Sequence, residues 1–336
     1  MKILAIETSC DETSVAVVED GRRVITDRIY SQIDIHRKYG GVVPEIASRN
    51  HVVKLPYVIE DAMEESGMTL SQVDAIAVTN GPGLVGALLV GVSGAKALAY
   101  ALGKPLVGVN HIEGHIAANY LEHPELEPPF LALVVSGGHT HLVEVEDYEA
   151  YHVIGRTRDD AAGEAYDKVA RVLGFPYPGG PAIDRAAAQG DPDAYDFPRV
   201  LLEKGSHDFS FSGLKSAVLN ELNHLKMKNI PYKAEDVAAS FQAAVVEVLV
   251  EKTVACALEG GYSRVCMAGG VSANKGLRAA MAQAAQDHGF TLYYPSPVLC
   301  TDNAAMIGSM AYYNYRSGMT SDLYLNAEPG LSIVES

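Results

Sequence analysis

Cysteine is scarce in this chain. Cys10, Cys256, Cys266 and Cys300 are the four among 336 residues, and no two form a CxxC pair. That spacing excludes a disulfide framework and a cysteine-only zinc site. Tryptophan is absent, which by itself decides nothing. Basic charge is also short: 26 Lys and Arg stand against 42 Asp and Glu, a formal net charge of −16. The balance excludes the broad basic face of a general nucleic-acid binder. A nucleic-acid substrate then needs a local basic patch or a helper protein. Arg22-Arg23, His36-Arg37-Lys38 and Arg156 with Arg158 are the candidate patches, and each also reads as ordinary solvated charge. The opening MKILAIETSC lacks the long apolar run and small-residue cleavage site of a signal peptide. The most apolar stretch, residues 84–102, is interrupted by Lys96 and several glycines. It reads as a buried helix rather than a membrane span. A cytoplasmic protein without a membrane is expected.

Hydrophobic residues make up 48% and charged residues 20%, the balance of a folded globular chain. Its length exceeds what one hydrophobic core usually supports, so two domains are expected. The chain also repeats itself. LAIETSCDETSVAVVED (residues 4–20) and LALVVSGGHTHLVEVED (residues 131–147) each read as an apolar strand, a small polar turn and an alternating strand, a β-hairpin twice over. VDAIAVTNGPG (73–83) and SRVCMAGGVSAN (263–274) are strands running into glycine-rich turns before helices. PLVGV leads into HIEGH as TLYY leads into CTDN. Three matched elements in one order predict a duplicated α/β unit with helices packed on a mixed sheet. Helices are predicted over residues 44–66 and 236–258. The Pro/Gly/Asp-rich residues 174–198 read as an insertion or cleft-lining loop.

HIEGH places His111 and His115 at i and i+4, on one helical face, a spacing that suits two imidazoles on one metal ion. It is not the zincin motif, since Ile112 follows the first histidine. Spacing alone leaves a metal pair and an ordinary hydrogen-bonding pair equally open. If the halves are related by a two-fold, Asp302 faces HIEGH across the cleft; its alternative role is a helix N-cap. A His, His, Asp set with open positions suits iron or zinc and points to a substrate-binding or catalytic ion. The glycine turns SGGHT (136–140), GGVSAN (269–274) and PGG (178–180) expose backbone N–H groups of the kind that cradle phosphates. Cys10, Asp11 and Glu12 form a polar hairpin tip. Asp160, Glu164 and Asp167 fall on one helical face, by default a solvated one.

IETSCDET, GGVVPEIASRNH, GPGLVGALLVG, HIEGH, VSGGHT, DDAAGEAYDKVAR, YPGGP, FSFSGLKS, MAGGVSAN and CTDNAAMI together resemble the bacterial TsaD family, formerly catalogued as O-sialoglycoprotein endopeptidases. The resemblance runs from the first strand to about Tyr315. It implies two tandem ribonuclease-H-like lobes of the actin/sugar-kinase/chaperone ATPase-like superfamily. The lobes are expected at residues 1–110 and 111–336, with a cleft-lining insertion over about 174–234 and a return of the last helix onto the first lobe left open. The implied activity transfers a threonylcarbamoyl group from threonylcarbamoyl-AMP to the N6 amine of the adenosine 3′ of the anticodon in tRNAs reading ANN codons. By resemblance His111, His115 and Asp302 bind one divalent metal ion, iron(II) before zinc. Val134, Val135, Ser136, Gly137, Gly138, Asp167, Gly180, Asp184 and Asn274 bind the adenylate, or ATP, in the cleft. Asp11 is assigned as the general base. The implied partners are tRNA, TsaB through the N-terminal lobe, the ATPase TsaE, and a separate synthase that supplies the adenylate. Two rivals remain: a metallopeptidase, against which the missing zincin Glu counts, and a non-catalytic ATP-binding scaffold, which has no use for the metal set.

Overall fold

The computed structural model describes residues 1–333 apart from 202 and 204. The chain divides into two compact units: Met1–Pro128 with Val145–Tyr151 and the chain from Pro295 on, and Pro129–Glu144 with His152–Tyr294. The boundary expected at residue 110 therefore falls later. The helix that carries HIEGH and the last helix, residues 304–316, fold with the first sheet, because their apolar faces pack on it.

In chain order the elements are β1 (Lys2–Glu7), β2 (Glu12–Glu19), β3 (Arg23–Ser31), α1 (Ile33–His36), α2 (Pro44–Ser66), β4 (Ala75–Gly81), α3 (Val85–Leu102), β5 (Leu106–Asn110) and α4 (His111–Glu122). β6 (Phe130–Val135), β7 (Thr140–Asp147), β8 (Ala150–Arg156), α5 (Ala162–Leu173), α6 (Gly179–Ala187), α7 (Ser212–Met227) and α8 (Ala234–Gly260) follow. β9 (Arg264–Ala268), α9 (Lys275–His288), β10 (Thr291–Tyr293), α10 (Pro297–Cys300) and α11 (Ala304–Arg316) complete the series.

Both sheets have five strands, in the orders β3-β2-β1-β4-β5 and β8-β7-β6-β9-β10. Strand for strand these are the same order, so the repeat seen in the sequence is a repeat of topology. β1 pairs with β2 antiparallel, from Lys2↔Glu19 to Glu7↔Ser14, and with β4 in parallel. β9 pairs in parallel with β6 and β10. β4 and β6 are buried along their whole length, as expected of central strands covered on both faces.

Local chemistry sets the helix ends. α2 begins at Pro44, where the missing N–H costs no intrahelical bond, and stops at Gly67, whose φ of 64° is left-handed. α8 runs two residues further at each end than the periodicity predicts. Residues 174–198 are not wholly loop: α6 lies there, burying Ala182 and Ile183 against α8 and α5. Its short length and proline-rich approach hide its period. α3 is long and apolar enough to cross a membrane; its face of Ala87, Leu88, Gly91, Val92, Ala95 and Ala99 is buried, packed on β4 and α2.

The placement of α11 matters most for the site. It packs on α4, β1 and β2, and two glycines permit the approach. A Cβ on Gly308 would stand 2.7 Å from Val18 Cγ2, and one on Gly114 2.7 Å from Ile307 Cδ1. Gly114 is the fourth residue of HIEGH, so the motif's glycine serves the contact with α11.

Candidate functional site

α4 starts on Asn110, whose side chain accepts the Ile112 N–H at 2.8 Å, so His111 occupies the first helical turn and His115 the next. Their ring centroids are 4.6 Å apart. Asp302 sits just before α11. The N-cap of that helix is Asn303, which accepts the Met306 N–H at 2.9 Å, and Asp302 is thereby left to face α4. Its Oδ1 lies 3.5 Å from His111 Nε2 and 3.3 Å from His115 Nε2. All three residues belong to the first unit, not to two facing halves as the repeat suggested. α11 returns to the first sheet, and its leading residue comes with it.

These three residues can hold a metal ion, their ligand atoms lying within 4.8 Å of one another. Donors about 2.0–2.1 Å from a common tetrahedral ion are themselves roughly 3.3 Å apart, which matches the two spacings to Asp302. Electrostatics fit a cation as well. Burial opposes charge on His111, but Asp302 and Glu7 on either side push it up to about 10. Burial likewise opposes charge on Asp302, yet the two imidazoles hold it well below the usual carboxylate range. His115 is depressed by burial despite Asp302.

Glu7, the last residue of β1, was not singled out by the sequence. It is fully buried. Its Oε2 lies 3.1 Å from His111 Nδ1 and accepts the Thr79 hydroxyl at 2.5 Å, and its Oε1 accepts the Ser9 N–H. The one available signal was a charge ending an apolar strand. Beyond it, the tip of the first hairpin is electrostatically joined to Asp302. Burial, then Asp11 and Asp302, push Glu12 well up, and the same three influences raise the Cys10 thiol. Asp11 itself is buried.

The remaining predicted residues lie in the second unit. Val134 and Val135 end β6, and the Ser136 to Gly138 turn follows. The Ser136 carbonyl accepts from Gly163 N at 3.2 Å, at the start of α5. Gly269, at φ 86°, packs against the Val135 carbonyl with no room for a Cβ. Gly137, Gly138 and Gly180 face open space. Asp167 accepts the Gly179 N–H at 2.7 Å, which ties α5 to the start of α6. Asp184 accepts from Gln242 Nε2 at 3.2 Å, and Asn274 donates to Gln242 Oε1 at 2.6 Å while capping α9. The predicted set thus gathers at the carboxyl ends of β6 and β9, the edge where open α/β sheets bind ligands. Gln242 was missed; its signal was a lone amide within the apolar run of α8. Asp160 precedes α5 rather than sharing its face, and it pairs with Lys168 and Lys215.

Four residues of the basic patches are engaged locally. Arg22 lies over the Tyr120 ring and donates to the Leu126 carbonyl. Arg23 pairs with Glu19, Arg37 with Asp34, and Arg158 with Glu203 and Asp208.

Residues 23–309 match the TsaD family, described as tRNA N6-adenosine threonylcarbamoyltransferase. A protein of that name from Clostridioides difficile is 57% identical over 330 residues, covering 98% of each chain. Another from Staphylococcus epidermidis is 56% identical over 331 residues, 98% of this chain and 97% of that one. Among solved structures, HypF from T. kodakarensis superposes with a TM-score of 0.64 at 15% identity, over 95% of this chain and 48% of its own. The (R)-2-hydroxyglutaryl-CoA dehydratase component A of Acidaminococcus fermentans gives 0.55 at 14% identity, over 94% and 98%. These likenesses carry the fold, the actin/sugar-kinase/chaperone ATPase-like α/β class.

Proposed function

Because the chain belongs to the TsaD family and is a tRNA-modifying transferase, we propose that it works with one divalent ion on His111, His115 and Asp302 and binds its adenylate on the second unit. The reaction moves the threonylcarbamoyl group from threonylcarbamoyl-AMP to the N6 amine of the adenosine 3′ of the anticodon in tRNAs reading ANN codons. The observation that carries this conclusion is identity above one half across nearly the whole length of proteins so named.

The donor set supports iron(II) first and zinc second, since two imidazoles and one carboxylate suit borderline metals. When bound, the ion supplies a Lewis acid for the carbamoyl carbonyl or the departing phosphate. The chain's own residues take the other tasks. Backbone N–H groups of the Ser136 to Gly138 turn hold phosphate, a role favoured by glycines with nothing beside them. Asp167 and Asp184 orient ribose hydroxyls through charge-assisted hydrogen bonds, with Gly180 and Asn274 completing the pocket. Val134 and Val135 supply the strand end that carries the turn. Adenine's exocyclic amine is a weak nucleophile because its lone pair is delocalised into the ring. Asp11 takes its proton as general base.

TsaB pairs with the first unit, TsaE acts on that pair, and a separate synthase supplies the adenylate, all in the cytoplasm. Support for the pairing comes from apolar side chains left exposed on adjacent helices: Val53 and Tyr57 on α2, Val85 and Leu89 on α3. Reconstitution with TsaB, TsaE, threonylcarbamoyl-AMP and unmodified tRNA, scored by nucleoside mass spectrometry, tests the whole reading. Cleavage of a labelled glycoprotein without tRNA modification would favour the peptidase instead.

A further inference from the structure

We propose that Glu7 is the positioning residue of the metal site: its carboxylate fixes His111 as the Nδ1–H tautomer and aims Nε2 at Asp302 and His115. The inference rests on the metal reading above and adds a residue to it.

The geometry is specific. Glu7 Oε2 faces His111 Nδ1, the ring nitrogen turned away from Asp302, while Nε2 faces Asp302 Oδ1. Glu7 is therefore placed behind a ligand and not among the ligands, and the group able to hold an ion contains His111, His115 and Asp302 without it. Its carboxylate is itself immobilised. Thr79 on the neighbouring strand donates to Oε2, and the Ser9 N–H donates to Oε1. Ser9 Oγ lies 3.3 Å from the same imidazole nitrogen and adds a weaker second contact. A fully desolvated carboxylate is costly to keep unless it is paired and hydrogen-bonded. Here every partner serves one imidazole.

His115 lacks such a support. Among the described residues its Nδ1 has no hydrogen-bond partner, and its side chain is fully buried. One ligand ring has a carboxylate behind it, and the other has none on its Nδ1 side among the described residues. A carboxylate behind a metal-bound imidazole sets its tautomer, restricts its rotation and raises its basicity, and losing it typically costs about 10–100-fold in metal affinity.

The test uses Co2+ alone, titrated into the metal-stripped full-length chain, with affinity read by calorimetry and ligand geometry by visible absorption. Glu7→Gln is expected to weaken Co2+ binding about 10–100-fold and to shift the absorption bands. In the Zn2+-loaded chain, where Nε2 coordination leaves the proton on Nδ1, the His111 Nδ1–H should exchange slowly with solvent in the wild type and faster in Glu7→Gln. Should Glu7→Gln not fold, Thr79→Val decides: it keeps the charge, frees Oε2 and should weaken Co2+ several-fold. Folded variants at both positions with wild-type affinity and spectrum overturn the role of Glu7. If His111→Ala also binds Co2+ as tightly as the wild type, the metal reading itself is what fails.

Discussion

Asp302 Oδ1 stands 3.3 Å from His115 Nε2, which joins the residue ahead of α11 to the second turn of α4. The contact completes a three-donor group that no continuous stretch of the chain contains.

Replacing both histidines, His111→Ala with His115→Ala, should abolish stoichiometric metal and with it the transferase activity. α4 should remain in place, because Ile112 and Ile116 keep its buried face. Elemental analysis together with thermal melting checks this. Full tRNA modification by a rigorously metal-free preparation would exclude the Lewis-acid role.

Asp11→Ala should lower kcat by about 10²–10⁴-fold, the usual span for a general base, while the KM for the adenylate changes little. Steady-state kinetics over a range of adenylate concentrations separates the two. A variant altered in KM alone assigns Asp11 to binding.

Gln242→Leu should weaken binding of AMP about 5–30-fold, the effect of one or two lost hydrogen bonds to a charged or polar partner. The amide bridges Asp184 and Asn274, so its loss frees both. Metal content should be unchanged, as Gln242 belongs to the second unit. Calorimetry with AMP gives the answer, and wild-type affinity would remove these two residues from the adenylate site.

Asp27 supplies a pH dependence. Burial pushes it up to about 6, against hydrogen bonds from Ser14 and the start of α11, with Glu65 adding repulsion. An acid whose folded value exceeds its unfolded one, about 3.9, is protonated longer in the fold. Its contribution is intact below pH 4 and is lost as pH rises through 6. Asp27→Asn, which cannot ionise, should therefore gain stability over the wild type at pH 7.5, by about 1–3 kcal/mol, and show no gain at pH 4. Equal shifts in melting temperature at both pH values would contradict this.

The repeat was legible because hairpins and glycine turns recur in order along the chain, and strand order follows from that order. His111 and His115 were legible because helical spacing fixes their common face. The unit to which Asp302 belongs was not, since a two-fold between halves predicts where a segment starts and not where its helix packs. Gly308 and Gly114 permit that packing, since a Cβ on either would crowd Val18 or Ile307. Glu7 and Gln242 escaped for a related reason. A single polar residue in an apolar run looks like a local exception until its distant partners are known. α6 was read as loop because nine residues give too few turns for a period to emerge.

Asp302 follows nine-tenths of the chain and closes a site begun by the first strand. A chain lacking the late segment would keep both imidazoles and the buried carboxylate behind one of them, but nothing would face their Nε2 atoms, so the group assembles only when that segment docks on the first sheet.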